Sequence, residues 1–234
     1  MAVGLEGGSS VGSTQMTAEQ TTHAETVDPS NISAGGSVSI TATDGDVKFR
    51  GMKINATDIH IDAAHDIDMD AAQNIQQIGG KTSSSSWSLG ASFGLPRGNF
   101  MGLTGGFGSG NGTENGNLVT HTGTVIDASG TVTLNSGNDT NIISSQIIGE
   151  KVEAAIGGNL NIASLQDSDD YTAKNQSSGL GLGTGKISGT HSSFNTGKTN
   201  STYDSVTSQA GIFAAEEGFD IYVEKYRPEG CGHF

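Results

Sequence analysis

The chain is poor in the residues that most often carry cross-links or chemistry. It has one cysteine in 234 residues, Cys231, which excludes an intramolecular disulfide. No Cys/His pair has the spacing of a zinc site. Lys and Arg number 11 against 25 Asp and Glu, for a net charge of −14. Such a chain is repelled by phosphate backbones, and its basic residues are scattered in sequence, so no nucleic-acid partner is expected. No apolar run approaches the roughly 20 residues of a transmembrane helix. The opening MAVGLEGGSSVGSTQMTAEQ has neither the basic nor the apolar segment of a secretory signal, so no signal peptide is expected in this chain. Hydrophobic residues make up only 33%, too few for a thick globular core.

What is abundant is glycine, 36 residues of it, with many Ser, Thr, Asn and Asp. That composition fits disorder, or an elongated fold whose core is one or two side chains wide. It also fits an exported bacterial surface protein. Disorder carries no apolar pattern, whereas here short apolar pairs alternate with polar residues between Gly, Asn and Asp turns. The pairs are Val38/Ile40, Val47/Phe49, Ile59/Ile61 and Ile67/Met69, and later Val132/Leu134, Val152/Ala154 and Leu160/Ile162. Period-2 alternation over so few residues predicts short strands with one buried face. No stretch has a helical period.

The two sets of pairs belong to one design used twice. Ala34–Gln73 corresponds to Ala128–Gln166 with one residue skipped near Asp44, about 93 residues apart. After the skip, Asp46 matches Asp139, Ile54 matches Ile147, and Asp66–Met69 matches Asn159–Ile162. A shorter period lies inside each copy: Val38 to Ile59 is 21 residues, while Val47 to Ile67, Val132 to Val152 and Ile142 to Ile162 are 20 each. A coil of about 20 residues containing short strands predicts an all-β fold, a right-handed parallel β-helix of about four to six coils, rather than a sandwich of antiparallel strands.

The expected division is a flexible segment at 1–20, a first repeat at 21–80, a Ser/Gly-rich insertion at 81–117 and a second repeat at 118–167. A second insertion with closing strands follows at 168–223, then a non-repeat tail at 224–234. Both insertions read as β-hairpins, with Pro96 at a turn or edge. In the first, Trp87, Leu89, Ala91, Phe93 and Leu95 alternate with Ser and Gly, and in the second Leu180 and Leu182 alternate with Gly. Trp87, Leu89, Phe93 and Leu95 are therefore candidates for membrane or partner contact. The competing expectation is that this apolar face lies against the repeat.

Other motifs carry less. The acids and His60 of Asp58–Asp62 and Asp66–Asp70 point outward if Ile59, Ile61, Ile67 and Met69 point inward, which suits either a solvated strand face or oxygen ligands for a divalent cation. The second copy replaces them with Glu153, Asn159 and Asn161, so the acidic row does not recur. These carboxylates have no basic partner beside them for a polysaccharide lyase or hydrolase. Gly181–Ile187 fails as a phosphate loop, having Leu180 where the first Gly belongs and Ile187 where Ser or Thr is required. No catalytic, cofactor or metal residue is assigned.

The phrases Gly130–Ile142 and Gly157–Asp167, with the segment Lys198–Ala214, resemble the haemagglutinin-repeat region of filamentous-haemagglutinin-type exoproteins of contact-dependent growth inhibition. The resemblance covers roughly residues 21–223. It implies a two-partner-secreted, cell-surface protein that passes an outer-membrane transporter, forms a β-helical stalk, and serves adhesion or delivery of a toxic domain to a neighbouring cell. It also implies a role for this region at the target-cell outer membrane. The residues after Val223 do not continue a coil, which predicts a truncated piece of a longer frame. A β-helical spike of a contractile secretion needle is the alternative, and a carbohydrate-active β-helix enzyme a third.

Overall fold

A computed structural model describes residues 6–94 and 98–224, so Leu95, Pro96 and Cys231 lie outside the described residues. The fold is all-β, with a single 3₁₀ turn, Gly185–Ile187, as its one helical element among these residues. In chain order the strands are β1 (Glu6–Glu25), β2 (Ser30–Ser33), β3 (Ser37–Ala42), β4 (Val47–Arg50), β5 (Met52–Ala56) and β6 (Asp58–Ala63). Next come β7 (Ile67–Asp70), β8 (Ala72–Gly94), β9 (Asn99–Thr122), β10 (Val125–Ala128), β11 (Thr131–Ser136) and β12 (Thr140–Ile143). The last are β13 (Gln146–Ile156), β14 (Leu160–Ala163), β15 (Asp167–Gly183), β16 (Gly189–Ser205) and β17 (Gly211–Val223). They form two compact units.

The first unit, residues 24–75, 118–168 and 203–224, contains two sheets of parallel pairs. One column of strands runs β2, β5, β10, β13, with Ile32, Ile54, Ile126 and Ile147 in register. A second runs β3, β6, β11, β13, with Val38, Ile59, Val132 and Val152 in register. A third runs β4, β7, β12, β14, with Phe49, Met69, Ile142 and Ile162 in register. β13 serves two columns, with a register shift between Gly149 and Lys151, and β17 pairs with both halves of it through Gly211–Ala214 and Gly218–Val223. The 20- and 21-residue spacings read from sequence are these parallel registers. The 93-residue repeat joins levels that are not neighbours, since the coil Val125–Ile143 lies between them, 72 to 73 residues from its partner below.

Each core side chain touches its equivalents above and below, which gives a core only a few side chains across. Ile54, Ile61, Ile67, Met69, Ile126, Leu134, Ile142 and Ile147 are fully buried. Burial of each stabilises by roughly 1.5–3 kcal/mol. The turns are held by a ladder of carboxylates: Asp66 N–H donates to Asp46 Oδ1 (3.2 Å), Asp139 N–H to Asp66 Oδ1 (3.0 Å) and Asn159 N–H to Asp139 Oδ1 (2.7 Å). Gly137 is needed for the tight approach of successive levels, because a Cβ there would lie 2.1 Å from the Ala64 carbonyl oxygen. At another corner the buried Ser145 hydroxyl donates to the Met69 carbonyl (3.0 Å) and accepts from Thr124 N–H (3.1 Å). These bonds satisfy groups whose burial would otherwise be costly.

The second unit is one sheet of order β1-β8-β9-β15-β16. Its pairs are antiparallel: a Cβ on Gly8 would meet Ser92 and one on Gly12 would meet Ser88, so numbering rises on one strand as it falls on the next. The same relation links Gly108 to Ser86 and Gly112 to Thr82, Gly106 to Gly181 and Gly110 to Ser177, and Gly179 to Ser193 and Gly181 to His191. The fold thus mixes parallel pairing in the first unit with antiparallel pairing in the second, and residues 6–20 belong to the edge strand β1. Their glycines have weak strand preference, and β1 is held in the sheet by its pairing with β8.

The register makes a stability prediction. Ile126→Ala leaves a cavity between Ile54 and Ile147 and should cost about 2–5 kcal/mol in urea unfolding. Ile32→Ala, at a level covered on one side only, should cost less than about 1 kcal/mol.

Candidate interaction surface

The two faces of the antiparallel sheet differ sharply, because side chains alternate on every strand. One face carries Thr82, Ser84, Ser86 and Ser88 of β8, Gly106, Gly108, Gly110 and Gly112 of β9, and Gly179 and Gly181 of β15. It forms shallow troughs with His191 at the edge and no paired carboxylates. The other face carries Trp87, Leu89 and Phe93, exposed by 51%, 54% and 39%. The register adds Val11 of β1, Leu103 and Phe107 of β9, Leu180 and Leu182 of β15, and Phe194 of β16, all exposed. Phe93 meets Phe100 edge-on at 5.9 Å near the β8–β9 connection.

The sequence-predicted residues Trp87, Leu89 and Phe93 therefore do share a face, and the second insertion's Leu180 and Leu182 join them. The sequence reading missed Val11, Leu103, Phe107 and Phe194. They are isolated large residues among Ser and Gly, and only the pairing of distant strands collects them. Together they present on the order of 800 Å² of apolar surface, more than single monomeric domains usually leave uncovered.

The acidic row of the first repeat is used by the fold. Asp58 accepts from Thr131 N–H (3.0 Å), and Asp66 from Asp139 N–H. Asp68 takes the Asn141 amide (2.8 Å) and the Lys48 ammonium (3.0 Å). Each of these three acids therefore has a partner on a neighbouring level. No metal-holding group of His, Cys, Asp and Glu occurs among the described residues. Gly185–Ile187 is a 3₁₀ turn between β15 and β16, not the start of an α-helix, so the phosphate-loop resemblance ends there.

One polar pair escaped the sequence reading because its members are 46 residues apart. His121 Nδ1 lies 3.0 Å from Asp167 Oδ1, which also accepts His121 N–H at 2.8 Å, and both side chains are largely buried. Burial pushes the Asp167 carboxyl up, but the Thr207 hydroxyl and His121 outweigh it and hold it below the usual value of 3.8. The Asp66 N–H, and then Lys48, hold Asp46 below 3.8 as well. A depressed carboxyl in the folded state adds stability that is fully present above the unfolded value and is lost as pH falls through the folded one. Thermal melts should therefore fall in temperature below about pH 4, and Asp46→Asn with Asp167→Asn should flatten that decline.

A stack of registered parallel strands defines a repeat scaffold. The hemagglutinin-repeat family matches residues 11–179, and the chain belongs to it. Over 84% of its length the chain is 39% identical to a "Toxin CdiA" of Escherichia coli. Over 92% it is 40% identical to a "16S rRNA endonuclease CdiA" of Enterobacter cloacae. Over 86% it is 34% identical to a "Deoxyribonuclease CdiA" of Yersinia pseudotuberculosis. It spans 7% of the length of the first two and 19% of the third. No solved structure matches it.

Proposed function

We propose that the chain is a structural and interaction segment of the stalk of a contact-dependent growth inhibition exoprotein, with no active site of its own. The observation that carries this reading is the interior itself. Ile54, Ile126 and Ile147 fill successive levels, so the interior of the parallel unit is occupied by stacked aliphatic side chains. Parallel strands joined by crossovers in one sheet are right-handed in nearly all proteins, which supports a right-handed parallel β-helix with coils of about 20 residues. On this reading residues 21–80 and 118–167 are the repeats, 81–117 and 168–223 the insertions and closing strands, and 224–234 a tail outside the repeat.

The parent protein would be exported through an outer-membrane secretion transporter, stand on the cell surface, and meet the surface or outer membrane of a target cell. Trp87, Leu89, Phe93 and Leu95 would belong to the contact face. The nucleases named among the relatives are whole proteins of which this chain matches a small part, so toxicity would reside elsewhere in such a parent.

A chimera tests the reading. A contact-inhibiting parent whose matching segment is replaced by this chain should still be exported and still inhibit neighbouring cells. A chimera that fails export, or turnover of an acidic polysaccharide by the isolated chain, counts against it.

A further inference from the structure

We propose that the antiparallel sheet continues from one copy of the chain into the next, with β1 of one molecule pairing in parallel with β16 of another and Glu19 seated against Lys198. The inference concerns the two edges of the sheet, not its faces, and it stands apart from the stalk reading.

Both edges are open. β1 and β16 end the strand order, Gly8–Glu25 of β1 is exposed throughout, and so is β16 up to Asp204. Edge strands are normally blunted by proline, by several lysines, or by a covering segment, because their unpaired N–H and C=O groups template a further strand. Ser10–Thr22 has no proline and no basic residue, and Gly189–Ser201 has no proline and a single lysine, Lys198. The two strands are also similar in length, 20 and 17 residues. Within one copy three strands separate them, a distance on the order of 19 Å at four strand spacings, so the partner of each edge is another molecule.

The register and the charges select the pairing. A Cβ on Gly12 would meet Ser88, one on Gly80 Glu114, one on Gly112 Asn175 and one on Gly179 Ser193. Carried along the strands, these registers put Glu19, Lys81, Thr113, Lys174 and Lys198 at one level across the sheet. Glu19 and Lys81 accordingly line one depression, and Thr113, Lys174 and Lys198 another. Among the described residues none of these four charged groups is in an ion pair. Lys174 and Lys198 are like charges on adjacent strands, an unfavourable pair that a carboxylate beyond the β16 edge would relieve.

Four antiparallel steps leave β1 and β16 running the same way, so β1 beside β16 of the next molecule makes a parallel pair when both sheets keep the same face up. Only even offsets preserve the alternation of faces. At zero offset Ser10–Thr22 lies beside Gly189–Ser201, and Glu19 lies beside Lys198 of the next copy. Pairing β16 with its own equivalent about this level would set Lys198 against Lys198, and pairing β1 with its own would set Glu19 against Glu19. The contact uses two different edges, so it repeats from copy to copy instead of stopping at a dimer.

The full chain carrying C231S tests this. In sedimentation velocity it should pass beyond the dimer as concentration rises. T17C/T196C, whose two cysteines stand at one level on opposite edges, should oxidise to a ladder of covalent oligomers, and T17C mixed with T196C to a covalent dimer. K198E should weaken association about fivefold, and E19K/K198E should restore it, with circular dichroism unchanged in both. A chain that stays monomeric overturns the proposal, and so does a charge swap that fails to restore association. A T17C/T196C cross-link confined to single chains would mean that the sheet closes on itself, and efficient dimers of T196C alone would mean that β16 pairs with its own equivalent. Either result also overturns it.

Discussion

The registered stacking of branched aliphatic side chains is the constraint on which the parallel unit depends. Parallel pairing places Ile54 beneath Ile126 and Ile126 beneath Ile147, so each level supplies half of the apolar environment of the next. One level alone could not bury its own inner face, and the stability of such a stack comes from its interfaces. The low hydrophobic content follows directly. A core a few side chains wide needs only two or three apolar residues per strand, and the outward positions are released to Ser, Thr, Asn and Asp.

The turns answer a separate demand. Successive levels are about 4.8 Å apart, too close for bulky corners, and every corner exposes backbone N–H groups. Asp46, Asp66 and Asp139 meet this by passing one hydrogen bond from level to level. The acids that looked like a ligand row are part of the same economy, since Asp58 and Asp68 also bind across levels. Asp46, Asp58, Asp66, Asp68 and Asp139 thus hold neighbouring levels together.

The antiparallel unit follows a different logic. It has no second layer of its own among the described residues, and its strands hold together through long ladders and through cross-strand contacts of Gly and Ser. Glycine on one face lets the backbones lie flat there, and Trp87, Leu89, Phe107 and Phe194 are among the large apolar residues left on the other, while Met16 stands exposed on the glycine face. An exposed apolar face of this kind marks a surface for interaction.

Sequence spacing alone was enough to determine the short strands and their 20- and 21-residue registers, because a buried strand face imposes a period that Val38, Ile59, Val132 and Val152 display openly. The alternation at Trp87, Leu89 and Phe93 likewise marked one strand's apolar face. Only the tertiary structure decided that the first coil of the second copy, Val125–Ile143, stacks on the last coil of the first, Met52–Asp70, and that residues 6–20 form a strand. It alone gathered Val11, Phe107 and Phe194 with Trp87, set three scattered lysines in a row, and paired His121 with Asp167. Local periodicity reports which way a side chain points, but the choice of neighbouring strand is made by hydrogen bonding between segments tens of residues apart, and that leaves no period in the sequence.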